Sequence, residues 1–119
     1  IALSFADRGM LYDRINERVD KMVADGLFDE VKGLLDSGLS PDCTAMQAIG
    51  YKEPAAYFKG EMTKDEAIEL IKLSSRRYAK RQLTWLRRDE TVKWYEWPSS
   101  PDFNEARRFS TEYLHSCGL

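Results

Sequence analysis

One histidine and two cysteines are all that the 119 residues offer in soft or borderline metal ligands. Cys43 and Cys117 share no CxxC spacing and only His115 stands near either, so neither a metal site nor a disulfide framework is expected. No apolar run approaches the roughly 20 residues needed to cross a bilayer, and the N-terminus lacks the basic-then-apolar pattern of a secretory signal. No membrane partner is expected, and a cytoplasmic location follows as the default. Internal repeats and low-complexity segments are also missing. The chain opens on apolar residues without a methionine, from which a fragment of something longer is expected.

What is present is an ordinary globular composition, 43% hydrophobic and 32% charged, of a length that suits one domain over residues 1–119. Its centre of organisation is the stretch from Lys64 to Arg88. Ala67, Ile71, Tyr78, Leu83 and Leu86, with Ile68, Ser75, Ala79 and Gln82 beside them, recur at three- and four-residue steps and predict an amphipathic helix facing a core. Thr63 and Glu66 have the spacing of a capping box at its start. The other flank carries Lys72, Arg76, Arg77, Lys80, Arg81, Arg87 and Arg88, and no acidic residue lies between Ile71 and Arg88. Removing those seven cations from the 18 basic residues leaves 11 against 20 acidic ones. Basic charge gathered on one helix of an otherwise acidic chain points to a polyanion, with phosphate the natural target. The alternative is a set of ion pairs with acidic residues of other helices.

The remaining elements are read in order. Asp7 caps a helix reaching about Asp25, with Leu11, Ile15, Val19, Met22 and Val23 on one stripe and Gly26 as its stop. The charges on its opposite side offer intrahelical pairs. A second helix runs from Leu27 or Phe28 to Ser37 and makes a helical hairpin with the first. Ala45–Ile49 suits a short helix, Gly50 interrupts it, and Pro54 fits the first turn of another helix ending at Lys59. Gly50 allows either a close backbone approach to a ligand or a kink that packs Ile49 and Tyr51 into the core. Thr91–Trp97 has the pattern of one short strand, with its sheet largely outside the chain, and Asp102–Ser116 reads as a final helix. The fold class is therefore mainly α, with about five helices and one short strand.

Three blocks, LYDRINERVDKMVADGLFDEV from Leu11, MQAIGYKE from Met46 and RRYAKRQLTWLRR from Arg76, resemble the C-terminal part of the tRNA dimethylallyltransferase (IPP transferase) family in order and spacing. The resemblance implies a P-loop α/β enzyme that transfers a dimethylallyl group from its diphosphate to N6 of the adenosine on the 3′ side of the anticodon. The chain has no GxxxxGK[ST] loop, and the family's catalytic aspartate and diphosphate-binding lysine belong to the half it lacks. No catalytic residue is therefore expected here, and the chain alone should be inert. Mg2+ and dimethylallyl diphosphate are expected in the full enzyme, a monomer, and no cofactor is expected on this portion.

What the resemblance assigns to this portion is contact with the tRNA anticodon stem-loop. Its segments map onto Gln47, Ala48, Ile49, Gly50, Tyr51 and Lys52, and onto Lys80, Arg81, Gln82, Leu83, Thr84, Trp85, Leu86 and Arg87. Helical spacing joins Arg77, Arg81, Thr84 and Arg88 in one ridge suited to tracking phosphates. Leu83 and Leu86 read mostly as core. Gln82 is either a satisfied buried amide or a polar group projecting into the substrate channel, and Trp85 reads as a packing residue ahead of a base-stacking platform. Tyr51 and Gln47 are candidates for helping the adenine leave its stack, and Arg14 and Arg18 for reaching the diphosphate. The competing function is a helical protein-interaction domain whose arginine face docks an acidic partner.

Overall fold

Asp7 opens the first helix as its spacing predicts: its Oδ1 accepts the Gly9 N–H at 2.8 Å, and α1 runs Arg8–Ala24. Gly26, at φ 105°, takes the left-handed conformation that turns the chain into α2, Leu27–Asp36. A 3₁₀ turn at Thr44–Gln47 replaces the expected helix over Ala45–Ile49. The helix α3, Lys52–Phe58, follows, with Pro54 at its third position, where the missing N–H has no intrahelical acceptor in any case. The capping box then forms as read: Thr63 N–H donates to Glu66 Oε2 at 2.8 Å and Glu66 N–H to Thr63 Oγ1 at 3.2 Å, starting α4, Lys64–Leu86. Asp102 caps α5, Phe103–Ser116, by accepting the N–H groups of Asn104 and Glu105.

The computed structural model describes all of residues 1–119. Two compact units divide it, one formed by Arg14–Lys80 and the other by Ile1–Asp13 with Arg81–Leu119. In the first, Val19, Leu27, Val31, Met46, Ala55 and Ile71 form a buried cluster that draws on α1, α2, the 3₁₀ turn, α3 and α4. Phe28 extends it through edge contacts with Tyr57 at 5.5 Å and Phe58 at 6.3 Å.

The second unit holds the expected strand, β2 at Trp94–Trp97, and a partner for it that no local pattern announced. The apolar lead-in contains β1, Ala2–Phe5, paired parallel with β2 so that Ala2 faces Trp94 and Phe5 faces Trp97. The expectation of one strand is therefore corrected to a two-stranded parallel sheet within a mainly helical fold. Phe5, Trp97 and Ala106 make its core, with Met10, Leu11 and Tyr95 packed around them. Trp97 also donates its indole N–H to the Asp102 carbonyl at 3.0 Å, fixing the entry to α5.

A second correction concerns α4. Its stripe is core only at the start: Ala67 and Ile71 are buried, whereas Tyr78 and Gln82 are exposed and Leu83 and Leu86 half-buried. The helix also ends at Leu86, leaving Arg87 and Arg88 in the turn that follows.

Ile71 is 1% exposed and its neighbour Leu70 37%. Ile71→Ala is expected to lower unfolding free energy by about 2–5 kcal/mol through lost transfer energy and a cavity, whereas Leu70→Ala should cost under about 1 kcal/mol. Urea denaturation of both variants checks this; equal losses would mean that this stripe is not the buried one.

Candidate functional site

The segment from Gln47 to Lys52 is a turn tied down at several points. Met46, fully buried, anchors its entry, and the Gln47 side-chain amide donates to the Pro41 carbonyl at 3.2 Å. Ala48 and Ile49 face solvent. Gly50 is buried at φ 94°, and its N–H donates to Glu53 Oε2 at 2.8 Å. The glycine is needed for that left-handed turn; its amide is committed to Glu53, so it is not an open point of ligand approach. Tyr51 is half-buried against the core, with its hydroxyl donating to Glu30 Oε1 at 2.5 Å. That hydrogen bond, reinforced by the carboxylate charge, holds the phenol above its ordinary pKa. The packing alternative therefore holds for Tyr51 and fails for Ile49, while Lys52 stands exposed.

The cation strip divides according to what each member touches. Lys72 Nζ lies 2.7 Å from Asp20 and 3.4 Å from Glu69, with the side chain 15% exposed. Arg76 donates to Asn16 Oδ1 at 2.6 Å. Arg87 meets Glu96 at 3.5 Å and lies 5.3 Å from the centre of the Trp94 ring. Lys72, Arg76 and Arg87 are thus partly structural, so the ion-pair alternative holds for Lys72 and Arg87. Asp20, one of the α1 charges with intrahelical partners available, pairs with Lys72 of α4. Arg77, Lys80, Arg81, Thr84 and Arg88 are exposed, as are Arg14 and Arg18 on α1.

At the end of α4 the structure overturns the packing reading of Trp85, which is 71% exposed. Its indole borders two adjoining grooves. One, of about 410 Å³, is lined by Arg81, Gln82, Trp85 and Leu86; the other, of about 560 Å³, by Trp85, Arg88, Asp89 and Glu90. Gln82 is an exposed amide, so its buried alternative falls away. Asp89 is occupied by Thr91, whose hydroxyl donates at 2.6 Å and N–H at 2.9 Å, and these bonds lower the carboxyl pKa. No group of three or more His, Cys, Asp or Glu is arranged to hold a metal ion, and no helix is long and apolar enough to cross a membrane.

Sequence reasoning missed Glu53, Glu30, Asn16, Asp20 and Glu96 as partners. Four of them act on residues distant in the chain, so no local spacing announced them. Glu53 follows the IGYK block directly, but a first-turn acid is ordinary in a helix and gave no sign of burial.

Lys72 supplies a pH test. Its hydrogen bond to Asp20 raises the pKa, burial lowers it, and the charges of Asp20 and Glu69 add to the rise, leaving it above the ordinary lysine value. A pKa raised on folding contributes stability fully present below the unfolded value and lost as pH climbs through the folded one. The stability gap between the native protein and Lys72→Met should therefore be constant from neutral pH to about 10 and shrink above it. Urea denaturation at stepped pH checks this; a gap indifferent to pH would assign the contribution to the aliphatic stem.

Comparison with known proteins places these features in a family. The IPP transferase family model matches residues 1–89. The tRNA dimethylallyltransferase of Geobacter sulfurreducens is 56% identical over 96 residues, covering 81% of this chain and 31% of that protein. That of Thermoanaerobacter pseudethanolicus is 48% identical over 114 residues, covering 96% of this chain and 36% of its own length. The crystal structure of the full-length tRNA isopentenylpyrophosphate transferase from Bacillus halodurans matches with a TM-score of 0.88 at 46% identity, over 96% of this chain and 37% of that one. The chain thus spans about a third of the length of these relatives. With the family model covering residues 1–89 and the fold retained at this identity, the chain belongs to the IPP transferase family.

Proposed function

We propose that this chain is the C-terminal, tRNA-contacting portion of a tRNA dimethylallyltransferase, a cytoplasmic enzyme that transfers a dimethylallyl group from dimethylallyl diphosphate to N6 of the adenosine 3′ to the anticodon. The observation that carries the reading is Trp85, a solvent-facing indole with Arg81 four residues before it and Arg88 three after. A hydrophobic ring kept in water beside guanidinium groups suits a single-stranded loop, whose bases stack on aromatic planes while cations meet the phosphates. The exposed turn at Ala48, Ile49 and Lys52 is a second surface for the same substrate, in the other unit.

Roles divide by chemistry. Arg77, Lys80, Arg81 and Arg88 meet phosphates, Gln82 and Thr84 supply hydrogen bonds, and Arg87 joins by exchanging an exposed pair with Glu96 for a phosphate. Drawing the target adenine from its stack costs a few kcal/mol, which these interactions offset. Arg14 and Arg18 are the cations of α1 available to the diphosphate. Mg2+ and the reacting groups are assigned on this reading to the rest of the enzyme. The rival reading, an arginine face docking an acidic protein, gains nothing from the ion pairs of Lys72 and Arg87, which engage those cations within the chain.

In the full-length enzyme carrying this chain, Arg77→Glu with Arg81→Glu should weaken binding of an anticodon stem-loop far more than Arg107→Glu with Arg108→Glu. The salt slope should shrink by roughly 0.7–0.9 for each phosphate that is no longer neutralised. Trp85→Ala should weaken binding by about 1–3 kcal/mol with little change of slope and none of stability. Binding measured at several salt concentrations checks all three. Equal losses for both arginine pairs with unchanged slopes, or competition by acidic polypeptide in place of tRNA, would favour the protein-docking reading.

The isolated chain should give no prenyl transfer to tRNA in a radiolabelled-donor assay, and turnover by the pure chain would relocate the catalytic groups.

A further inference from the structure

Glu53 belongs to none of the segments assigned to RNA, yet it is the one charged side chain sealed from solvent, at 1% exposure. Oε2 accepts the Gly50 N–H at 2.8 Å, and Oε1 reaches no donor. A buried polar atom left unsatisfied costs about 1–3 kcal/mol, and more when charged. An apolar residue of similar volume would remove that unpaired oxygen. What an apolar side chain cannot do is accept the N–H of Gly50, the residue at φ 94° on which the turn pivots. That bond, the Gln47 bond to Pro41 and the Tyr51 bond to Glu30 fasten the turn on both sides of Ile49. Ile49 itself is 36% exposed, and its β-branched side chain has few rotamers to give up when it meets a ligand.

We propose that Glu53 is a positioning residue for RNA recognition: by holding the Gly50 amide it fixes the 48–51 turn so that Ile49 is presented as an apolar contact for a nucleobase of the substrate loop. The inference rests on the reading of this turn as an RNA surface. It adds that the turn works through shape and apolar contact, with its rigidity set by a carboxylate that never touches the substrate. A rigid apolar side chain pressed against a base face favours an unstacked loop without reading sequence by hydrogen bonds. Displacing that side chain by a fraction of an ångström lowers the fraction of productive complexes.

The test uses the full-length enzyme with Glu53→Gln, Glu53→Leu and Ile49→Ala. Gln keeps an oxygen for Gly50 and should hold the KM for an anticodon stem-loop within about threefold of wild type. Leu removes the acceptor and should raise that KM by about tenfold or more, with the KM for dimethylallyl diphosphate within about twofold. Ile49→Ala should cost little stability and raise the stem-loop KM about fivefold or more. Gln as damaging as Leu, both KM values rising together, or an unaffected Ile49→Ala each overturns the proposal. Should Glu53→Leu fail to fold, Glu53→Gln and Ile49→Ala decide it alone. Arg77→Glu with Arg81→Glu is measured in parallel. Weakened binding there with wild-type behaviour at Ile49 sinks only this inference, whereas wild-type binding in both sinks the RNA reading beneath it.

Discussion

The burial of Ile71 against Val31, Met46 and Ala55 is the interaction on which the Arg14–Lys80 unit depends. The short elements around it are not stable alone: α3 has seven residues and the 3₁₀ turn four, both far below the roughly 12–15 residues at which isolated helices become even marginal in water. Their order comes from sharing one apolar cluster. Met46 enters it just before Gln47, and Tyr51 and Ala55 lean on it just after, so the exposed turn between them is carried by residues that the core holds. The packing of α4 thus reaches the candidate site through three residues of the MQAIGYKEPA stretch, before any polar interaction is added.

Signals that act within a few residues were legible in the sequence. Thr63 with Glu66, Asp102 with the amides after it, and Gly26 at the α1–α2 junction need only near neighbours, and each stands where its spacing placed it. What failed was nonlocal. Ala2–Phe5 is a strand only because Trp94–Trp97 lies beside it, and a parallel pair needs a long crossover that no turn residue advertises. The family resemblance was legible for the same local reason, since its blocks are continuous stretches. The environment of single residues within those blocks was not. Trp85 shows this: the usual expectation for tryptophan is burial, yet here the apolar stripe of α4 outlasts the core that would cover it.

Charge summed along the chain made the cation strip look uniform, and the structure sorts it by how firmly each cation is engaged. Lys72 is largely buried with two carboxylates in reach, and releasing it would leave Asp20 and Glu69 to repel one another. Arg87 and Glu96 are both open to solvent at a long 3.5 Å, a pair of the kind that contributes between zero and about 1 kcal/mol. Such a pair yields readily to a phosphate. The strip therefore runs from structural cations to exchangeable ones, and only the exchangeable ones contribute to a salt-dependent association.

The same sorting explains why an exposed indole and a buried carboxylate belong in one account. Each breaks the ordinary preference of its residue type, and each departure costs stability: leaving a large apolar side chain in water forgoes about 1.5–3 kcal/mol, and sealing a carboxylate with one oxygen unpaired costs a comparable amount. Folding alone favours neither feature, although Glu53 also satisfies the buried Gly50 N–H. Where local rules fail in a well-packed protein, the failures gather at working surfaces. Trp85 and Glu53 fall in the blocks KRQLTWLR and MQAIGYKE, although exposed apolar residues also occur elsewhere, as at Phe103. On the proposed reading, ring exposure would give a base something to stack on, and the buried acceptor holds the turn in one conformation. An RNA loop, itself flexible, gains from meeting a surface that has already given up its freedom, because less entropy is then lost on binding.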